Sequence, residues 1–171
     1  AIAFNPTNGY FYVGIQEDKE IHEVDLAIED CANPGTCSLT KINSFSVLNS
    51  PSGLFYDVNE EALLVFCGTI TNGNQYLYAY KTDGTLTHDI TIPASVGISR
   101  GDGIFIDNNK AYISDSQGPM WIEEGSMGAN LFEVEWNGLS DLNSNETNNS
   151  APTITATSFS VANKAAIGTL V

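Results

Sequence analysis

The sequence predicts an all-β protein built from short antiparallel strands. Apolar runs of about four to eight residues, rich in β-branched and aromatic side chains, recur along the chain and are bounded by Gly, Asn, Asp or Pro. No stretch of about eleven or more residues has a convincing helical period. The chain has 171 residues, of which 42% are hydrophobic, and this is enough apolar material for a packed core.

A repeat of roughly 50 residues organises the strands. Three segments open alike, and each is followed by a polar turn, a second apolar run, a variable loop and a third run that alternates apolar and polar residues. A fourth, weaker strand is predicted in the first two units, at residues 40–47 and 86–92. The three openings are Ala1-Ile2-Ala3-Phe4-Asn5, Gly53-Leu54-Phe55-Tyr56-Asp57 and Gly103-Ile104-Phe105-Ile106-Asp107.

Four short strands in each unit are typical of a β-propeller blade. The first strand of each unit is apolar throughout, so we expect it to be buried between neighbouring blades. Asn5, Asp57 and Asp107, which end these strands, are expected to form Asx-turns rather than to bind a metal. About three blades are fewer than the roughly four to eight of a closed propeller. The chain is therefore expected to be part of a larger propeller, the alternative being that other copies complete the ring or stack.

The repeat resembles NHL-type and six-bladed propellers, and most closely the SdiA-regulated propeller family. The resemblance covers residues 1 to about 138, and it implies an envelope or secreted protein without naming catalytic residues. It is carried by Ala1-Ile2-Ala3-Phe4-Asn5-Pro6-Thr7-Asn8-Gly9-Tyr10-Phe11-Tyr12-Val13, Ile21-His22-Glu23-Val24-Asp25 and Asp102-Gly103-Ile104-Phe105-Ile106-Asp107.

The tail has a different composition. Residues 139–150 are rich in Asn, Ser and Asp and are predicted to be a polar linker. Residues 151–171 resemble the opening of a cadherin-like repeat, which implies one or two strands of a β-sandwich module. These strands must pair with something outside the chain or extend a propeller edge. The resemblance is carried by Asn149-Ser150-Ala151-Pro152, Phe159-Ser160-Val161-Ala162 and Gly168-Thr169-Leu170-Val171.

Charge and cysteine content indicate an extracellular protein. The net charge is −15, with 21 acidic and 6 basic residues, and this argues against a nucleic-acid partner and against an anionic membrane surface. No apolar run is long enough to insert into a bilayer. Cys31 and Cys37 flank an Asn-Pro-Gly turn and are expected to form a disulfide, whereas Cys67 is expected to be a buried free thiol. Asn145 and Asn148 begin glycosylation sequons. A secreted or cell-surface location follows.

The sequence contains no recognisable catalytic motif, so no catalytic residue is predicted. Asp18, Asp102 and Asp115 are candidates for a Ca²⁺ site over the central channel, because Ca²⁺ prefers several carboxylate and carbonyl oxygens. The alternative, which we favour, is a solvated acidic rim that keeps the protein soluble.

One loop carries large apolar side chains in a polar context. Met120, Trp121 and Ile122 are candidates to bind a partner. The equally weighted alternative is that Trp121 folds back to cap its blade.

The function expected from these features is a non-enzymatic structural or interaction role, in adhesion or in an extracellular fibre. The partners would be other protein chains or further copies of this one. A metal-dependent propeller hydrolase acting on esters, lactones or phosphates is the first alternative. A filament subunit whose strands at residues 153–161 complete the sheet of a neighbour is the second.

Overall fold

The computed structural model describes residues 1–26, 38–71, 74–98, 101–117, 128–136, 138–139 and 157–161. These residues form three antiparallel sheets of four strands each, together with one turn of 3₁₀ helix at Ala94–Val96. The first sheet contains β1 (Ile2–Phe4), β2 (Phe11–Ile15), β3 (Glu20–Leu26) and β4 (Leu39–Ser46). The second contains β5 (Gly53–Asp57), β6 (Ala62–Thr71), β7 (Asn74–Tyr80) and β8 (Leu86–Ile92). The third contains β9 (Gly101–Asp107), β10 (Lys110–Gln117), β11 (Gly128–Glu135) and β12 (Thr157–Val161).

The all-β prediction is confirmed, and in each sheet the strands lie side by side in chain order. The predicted fourth strands of the first two units are present as β4 and β8. Within the described part of the chain, no helix is long and apolar enough to span a membrane.

Asx-turns begin the first hairpin of the first two sheets, as the sequence predicts. The backbone N–H of Thr7 donates to Oδ1 of Asn5 over 2.9 Å, and the N–H of Asn59 donates to Oδ1 of Asp57 over the same distance. The third sheet turns at Asn108 and Asn109, which have φ angles of 47° and 63°. Positive φ at two central residues suits a tight hairpin turn, and Asn tolerates this conformation better than most residues do.

The three sheets stack through their first strands, since β5 contacts β1 on one side and β9 on the other. Two hydrophobic cores result. Between the first and second sheets the buried apolar side chains are Ala3, Tyr12, Ile21, Val47, Leu54, Tyr56, Leu63, Val65, Cys67, Tyr78 and Tyr80. Between the second and third sheets they are Ala62, Leu64, Phe66, Leu77, Ala79, Ile92, Ile98, Ile104, Ile113, Phe132 and Leu139.

Backbone contact brings the second and third sheets unusually close. A Cβ placed on Gly53 would lie 2.8 Å from Cα of Gly103, and one placed on Gly68 would lie 2.1 Å from the carbonyl oxygen of Gly101. Side chains essentially never approach backbone so closely, so glycine is required at positions 53 and 68. The hydroxyl of Ser52 lies in the same junction, 2.8 Å from the Gly101 carbonyl oxygen and 2.9 Å from the Gly68 nitrogen.

The outermost strand of the third sheet comes from the tail. β12 pairs antiparallel with β11 along five residues, from Ala129 opposite Val161 to Glu133 opposite Thr157. The sequence leaves two partners open for this segment, and the structure places it on the edge of the third sheet. The proposed division at residues 138 and 151 stays a prediction.

Candidate interaction surface

On the side of the first sheet that faces away from the second sheet, β1 and β2 expose apolar side chains, while β3 carries the contact between His22 and Glu20. Side chains alternate between the two sides of a strand, so Ile2 and Phe4 lie opposite Ala3, which is in the core. Ile2 is 63% exposed and Phe4 is 49% exposed. Phe11 and Val13 extend this surface across β2, and the rings of Phe4 and Phe11 are 4.9 Å apart. We call this surface the leading face, defined by Ile2, Phe4, Phe11, Val13 and Ile15.

The opposite end of the described stack has a second partly exposed surface, although one of its rings, Phe105, also packs edge-on against Phe55 of the second sheet with centroids 5.6 Å apart. Phe105, Tyr112 and Leu131 lie on the side of the third sheet away from Ile104, Ile113 and Phe132, which are buried against the second sheet. Phe105 is 56% exposed and Leu131 is 40% exposed. We call this surface the trailing face, defined by Phe105, Tyr112 and Leu131. It also carries the ion pair between Lys110 and Glu133.

Cross-strand register shows that the leading face matches surfaces that are buried inside the stack. Ile2 pairs with Val13, which pairs with His22. The same row in the second sheet is Leu54, Val65 and Tyr78, and in the third sheet it is Ile104, Ile113 and Phe132. All members of these two rows are buried against the preceding sheet. The first sheet therefore presents the surface that its two neighbours use for packing.

The trailing face corresponds only in part to the side of the second sheet that packs against the third. Lys110, Ser114 and Glu133 stand where the second sheet has the buried Ala62, Phe66 and Ala79. Gly53, Phe66 and Leu77 form one row of the second sheet, and Gly103, Ser114 and Leu131 form the equivalent row of the third. Leu77 is 3% exposed because it packs against the third sheet, whereas the equivalent Leu131 has no sheet beyond it in the described chain. The expectation that a first strand is buried between neighbouring sheets holds for β5. Within the described residues, β1 and β9 each have a sheet on one side only and are partly exposed.

The acidic residues considered for Ca²⁺ are spread over two sheets. Asp18 is exposed in the turn between β2 and β3, Asp102 is exposed near the start of β9, and Asp115 is buried on β10 opposite Gly101. Among the residues that the structure describes, no three His, Cys, Asp or Glu side chains form a group that could hold a metal ion. The Ca²⁺ site stays a prediction.

A cleft of about 630 Å³ lies between the turns that follow β1, β5 and β7 of the first two sheets. Two of its polar side chains serve the fold. The Asn8 amide donates to Glu23 over 3.0 Å, and Glu60 accepts from the backbone N–H of Leu139 over 3.2 Å. The cleft is also lined by Glu61, Lys81 and Thr82.

His88, which lines this cleft, does not form a nucleophile–base pair with its neighbour Thr87. The Thr87 hydroxyl donates its proton to the carbonyl oxygen of Ala79 over 3.0 Å, and it also lies 3.0 Å from Nδ1 of His88. Since the hydroxyl has one proton to give, Nδ1 of His88 must donate to it. The imidazole therefore cannot accept the hydroxyl proton in this arrangement.

Two nucleophilic groups between the first and second sheets, the Cys67 thiol and the Tyr12 hydroxyl, are buried. Burial raises the pKa of the Cys67 thiol to about 12, and Cys67 is a free cysteine. The prediction of a buried free thiol is confirmed. Burial is also the main reason why the pKa of Tyr12 is raised to about 12. The Tyr12 hydroxyl donates to Glu23 over 3.2 Å, so it acts as a structural donor beneath the hairpin turn.

Three groups of predicted sites lie outside the described residues. The disulfide between Cys31 and Cys37, the glycosylation sites Asn145 and Asn148, and the partner-binding residues Met120, Trp121 and Ile122 all stay predictions.

No family model matches the chain, and no curated protein matches it. The resemblances to the SdiA-regulated propellers and to cadherin-like repeats therefore stay predictions. What distinguishes the described part of the molecule is the pair of exposed apolar faces. An incomplete ring predicts an uncovered face at each open end, but the residues that form these faces were not named from the sequence. The available signal was that Ile2 and Phe4 match Leu54 and Tyr56 in the repeat.

Proposed function

We propose that this chain is a non-enzymatic structural or interaction module that joins other β-sheet proteins through its two end faces. One observation carries the proposal: Ile2 and Phe4 of the leading face are exposed, while the equivalent Leu54 and Tyr56 are buried against a neighbouring sheet. Exposed contiguous apolar surface on a protein with net charge −15 suggests a site for protein association.

The three sheets are proposed to be blades of a β-propeller. Support comes from the four sequential antiparallel strands of each sheet and from the contacts between the first strands of neighbouring sheets. An extracellular role in adhesion or in a fibre is part of the proposal. It is supported by the acidic composition, by the sequons at Asn145 and Asn148 and by the close pair Cys31 and Cys37.

A fluorescent dye that reports on exposed apolar surface tests this proposal. The purified chain should bind 1-anilinonaphthalene-8-sulfonate, and Phe4→Ser combined with Leu131→Ser should remove most of the fluorescence. Val58→Ser is the matched control, because Val58 is 50% exposed and lies in a turn away from both faces. Equal fluorescence from the double variant and the control would contradict the proposal.

The hydrolase alternative needs a separate assay. Turnover of an ester, lactone or phosphate substrate in the presence of Ca²⁺, abolished by Asp102→Asn, would replace the structural proposal with an enzymatic one. We expect no turnover above that of the buffer containing Ca²⁺, and no difference between the chain and the Asp102→Asn variant.

A second candidate function, strand exchange in a filament, is supported by the pairing of β11 with β12. Twenty-one residues separate β12 from β11, from 136 to 156, whereas β8 follows β7 after a short turn. A strand on so long a connection can reach the equivalent edge of a neighbouring copy. Truncation after Ser150 should abolish filaments if this candidate holds, and filaments that persist would exclude it.

A further inference from the structure

We infer that the leading face binds the trailing face of a second copy of this chain, so that copies associate head to tail. The inference rests on the proposed function and adds the identity and orientation of the partner. It makes the contact between two copies a continuation of the sheet-to-sheet packing that already occurs twice within one copy.

The direction of the stack decides the orientation. In both internal interfaces, one sheet contributes the side that carries the second and fourth residues of its five-residue repeat opening. Leu54 and Tyr56 face the first sheet, and Ile104 faces the second. The leading face carries the same positions, Ile2 and Phe4. Its partner should therefore be the opposite side of a sheet, which is the side that packs against the following sheet in the stack.

The trailing face is the equivalent side of the third sheet, and it is apolar in part, because Leu131 and Phe105 flank the Lys110–Glu133 ion pair. Its Leu131 is equivalent to Leu77, which packs against the third sheet, and its Phe105 is equivalent to the partly buried Phe55. Neither internal interface joins two surfaces of the same kind. A contact of the leading face with itself would therefore be an arrangement that the stack nowhere contains, whereas leading against trailing repeats a known one.

A head-to-tail contact has two possible outcomes in solution. If the rotation between sheets closes the ring, two or a few copies form a closed oligomer, and if it does not close, longer open assemblies form. Both contain the same contact. The net charge of −15 on each copy opposes association, and because salt screens this repulsion over about 8 Å at 0.15 M ionic strength, association should strengthen as salt is added.

Sedimentation equilibrium on the purified chain, from micromolar to millimolar concentration in 0.15 M and 0.5 M NaCl, tests the inference. The mass should rise above that of the 18.4 kDa monomer with concentration, and more strongly in 0.5 M salt. Phe4→Glu on the leading face and Leu131→Glu on the trailing face should each raise the dissociation constant about tenfold or more. Val58→Glu should leave it unchanged.

Mixing the two variants distinguishes head-to-tail association from other modes. An equimolar mixture of Phe4→Glu and Leu131→Glu should form a 1:1 dimer, since each variant keeps the face that the other lacks. If only one variant loses association, or if the mixture stays monomeric while the unaltered chain associates, the inference is wrong. Association that survives both substitutions indicates strand exchange and also overturns it.

A second pair of variants guards against loss of folding. Ile2→Glu and Tyr112→Glu alter the same two faces at other side chains, and circular dichroism should show that they keep the β-sheet content of the unaltered chain. If the unaltered chain is monomeric throughout but its dye binding is lost in the face variants, the inference fails while the proposed function stands. If dye binding is also unaffected, both fail.

Discussion

The substitution Gly68→Ala should destabilise the protein by driving the second and third sheets apart. The new Cβ would lie 2.1 Å from the carbonyl oxygen of Gly101, a backbone atom that no side-chain rotation can move. The sheets would have to separate by about 1 Å to restore an ordinary contact. Overpacking of this kind costs about 1–3 kcal/mol, and alanine returns only about 0.4–1 kcal/mol by restricting the unfolded chain.

A net loss of about 1 kcal/mol is therefore expected, which lowers the Tm of a domain of this size by about 2–4 °C. Gly14→Ala is the matched control, because its Cβ would meet only side chains, with Cγ of Pro51 nearest at 3.0 Å. Its Tm should change by less than about 2 °C. Thermal and urea unfolding followed by circular dichroism measure both. A Tm for Gly68→Ala equal to or above that of Gly14→Ala would refute the described approach of the two sheets.

A double-mutant cycle locates the effect in the junction. Ser52→Ala removes the hydroxyl that lies within hydrogen-bond distance of Gly68 and Gly101, and this should cost about 1–3 kcal/mol in the unaltered chain. In the Gly68→Ala background the junction is already opened, so the additional cost of Ser52→Ala should be smaller. Strictly additive costs would show that Gly68 acts elsewhere.

Three further predictions concern the core and the tail. Cys67 should resist iodoacetamide at pH 8 until urea unfolds the chain, because burial raises the pKa of its thiol to about 12. Mass spectrometry of the Cys67 peptide measures the labelling, and rapid labelling of the native protein would contradict the prediction. Burial also raises the pKa of Tyr12 and Tyr78 to about 12 from 10.0, so the folded state keeps protons that the unfolded state releases. The Tm should therefore fall as the pH rises from 9 to 11, and Cys67→Ala should flatten the start of that fall. A Tm independent of pH over this range would be incompatible with these shifts. Truncation after Ser150 removes β12 and leaves β11 as an unpaired edge. The shortened chain should therefore have a lower Tm and should show more aggregation by light scattering. An unchanged Tm would mean that β12 adds no stability.

Local sequence signals located most of the strands and turns. Asn5 and Asp57 mark the first hairpins because an Asx side chain can bond to the backbone two residues on, and both turns form as expected. Alternation along each strand also showed which residues share a side, so Ile2 and Phe4 could be assigned to one surface without coordinates. These signals depend on residues that are close in the chain, and they remain readable for that reason.

Only the tertiary structure decided which of these surfaces are covered. Leu77 and Leu131 occupy equivalent rows and are equally apolar. Leu77 is buried because the third sheet lies against it, whereas Leu131 is exposed because no sheet of the described chain lies against it. The partner of β12 was likewise open in the sequence, since pairing across a long connection leaves no local pattern. Burial and strand pairing are set by contacts between residues far apart in the chain, whereas the local pattern records only which side of a strand each residue occupies.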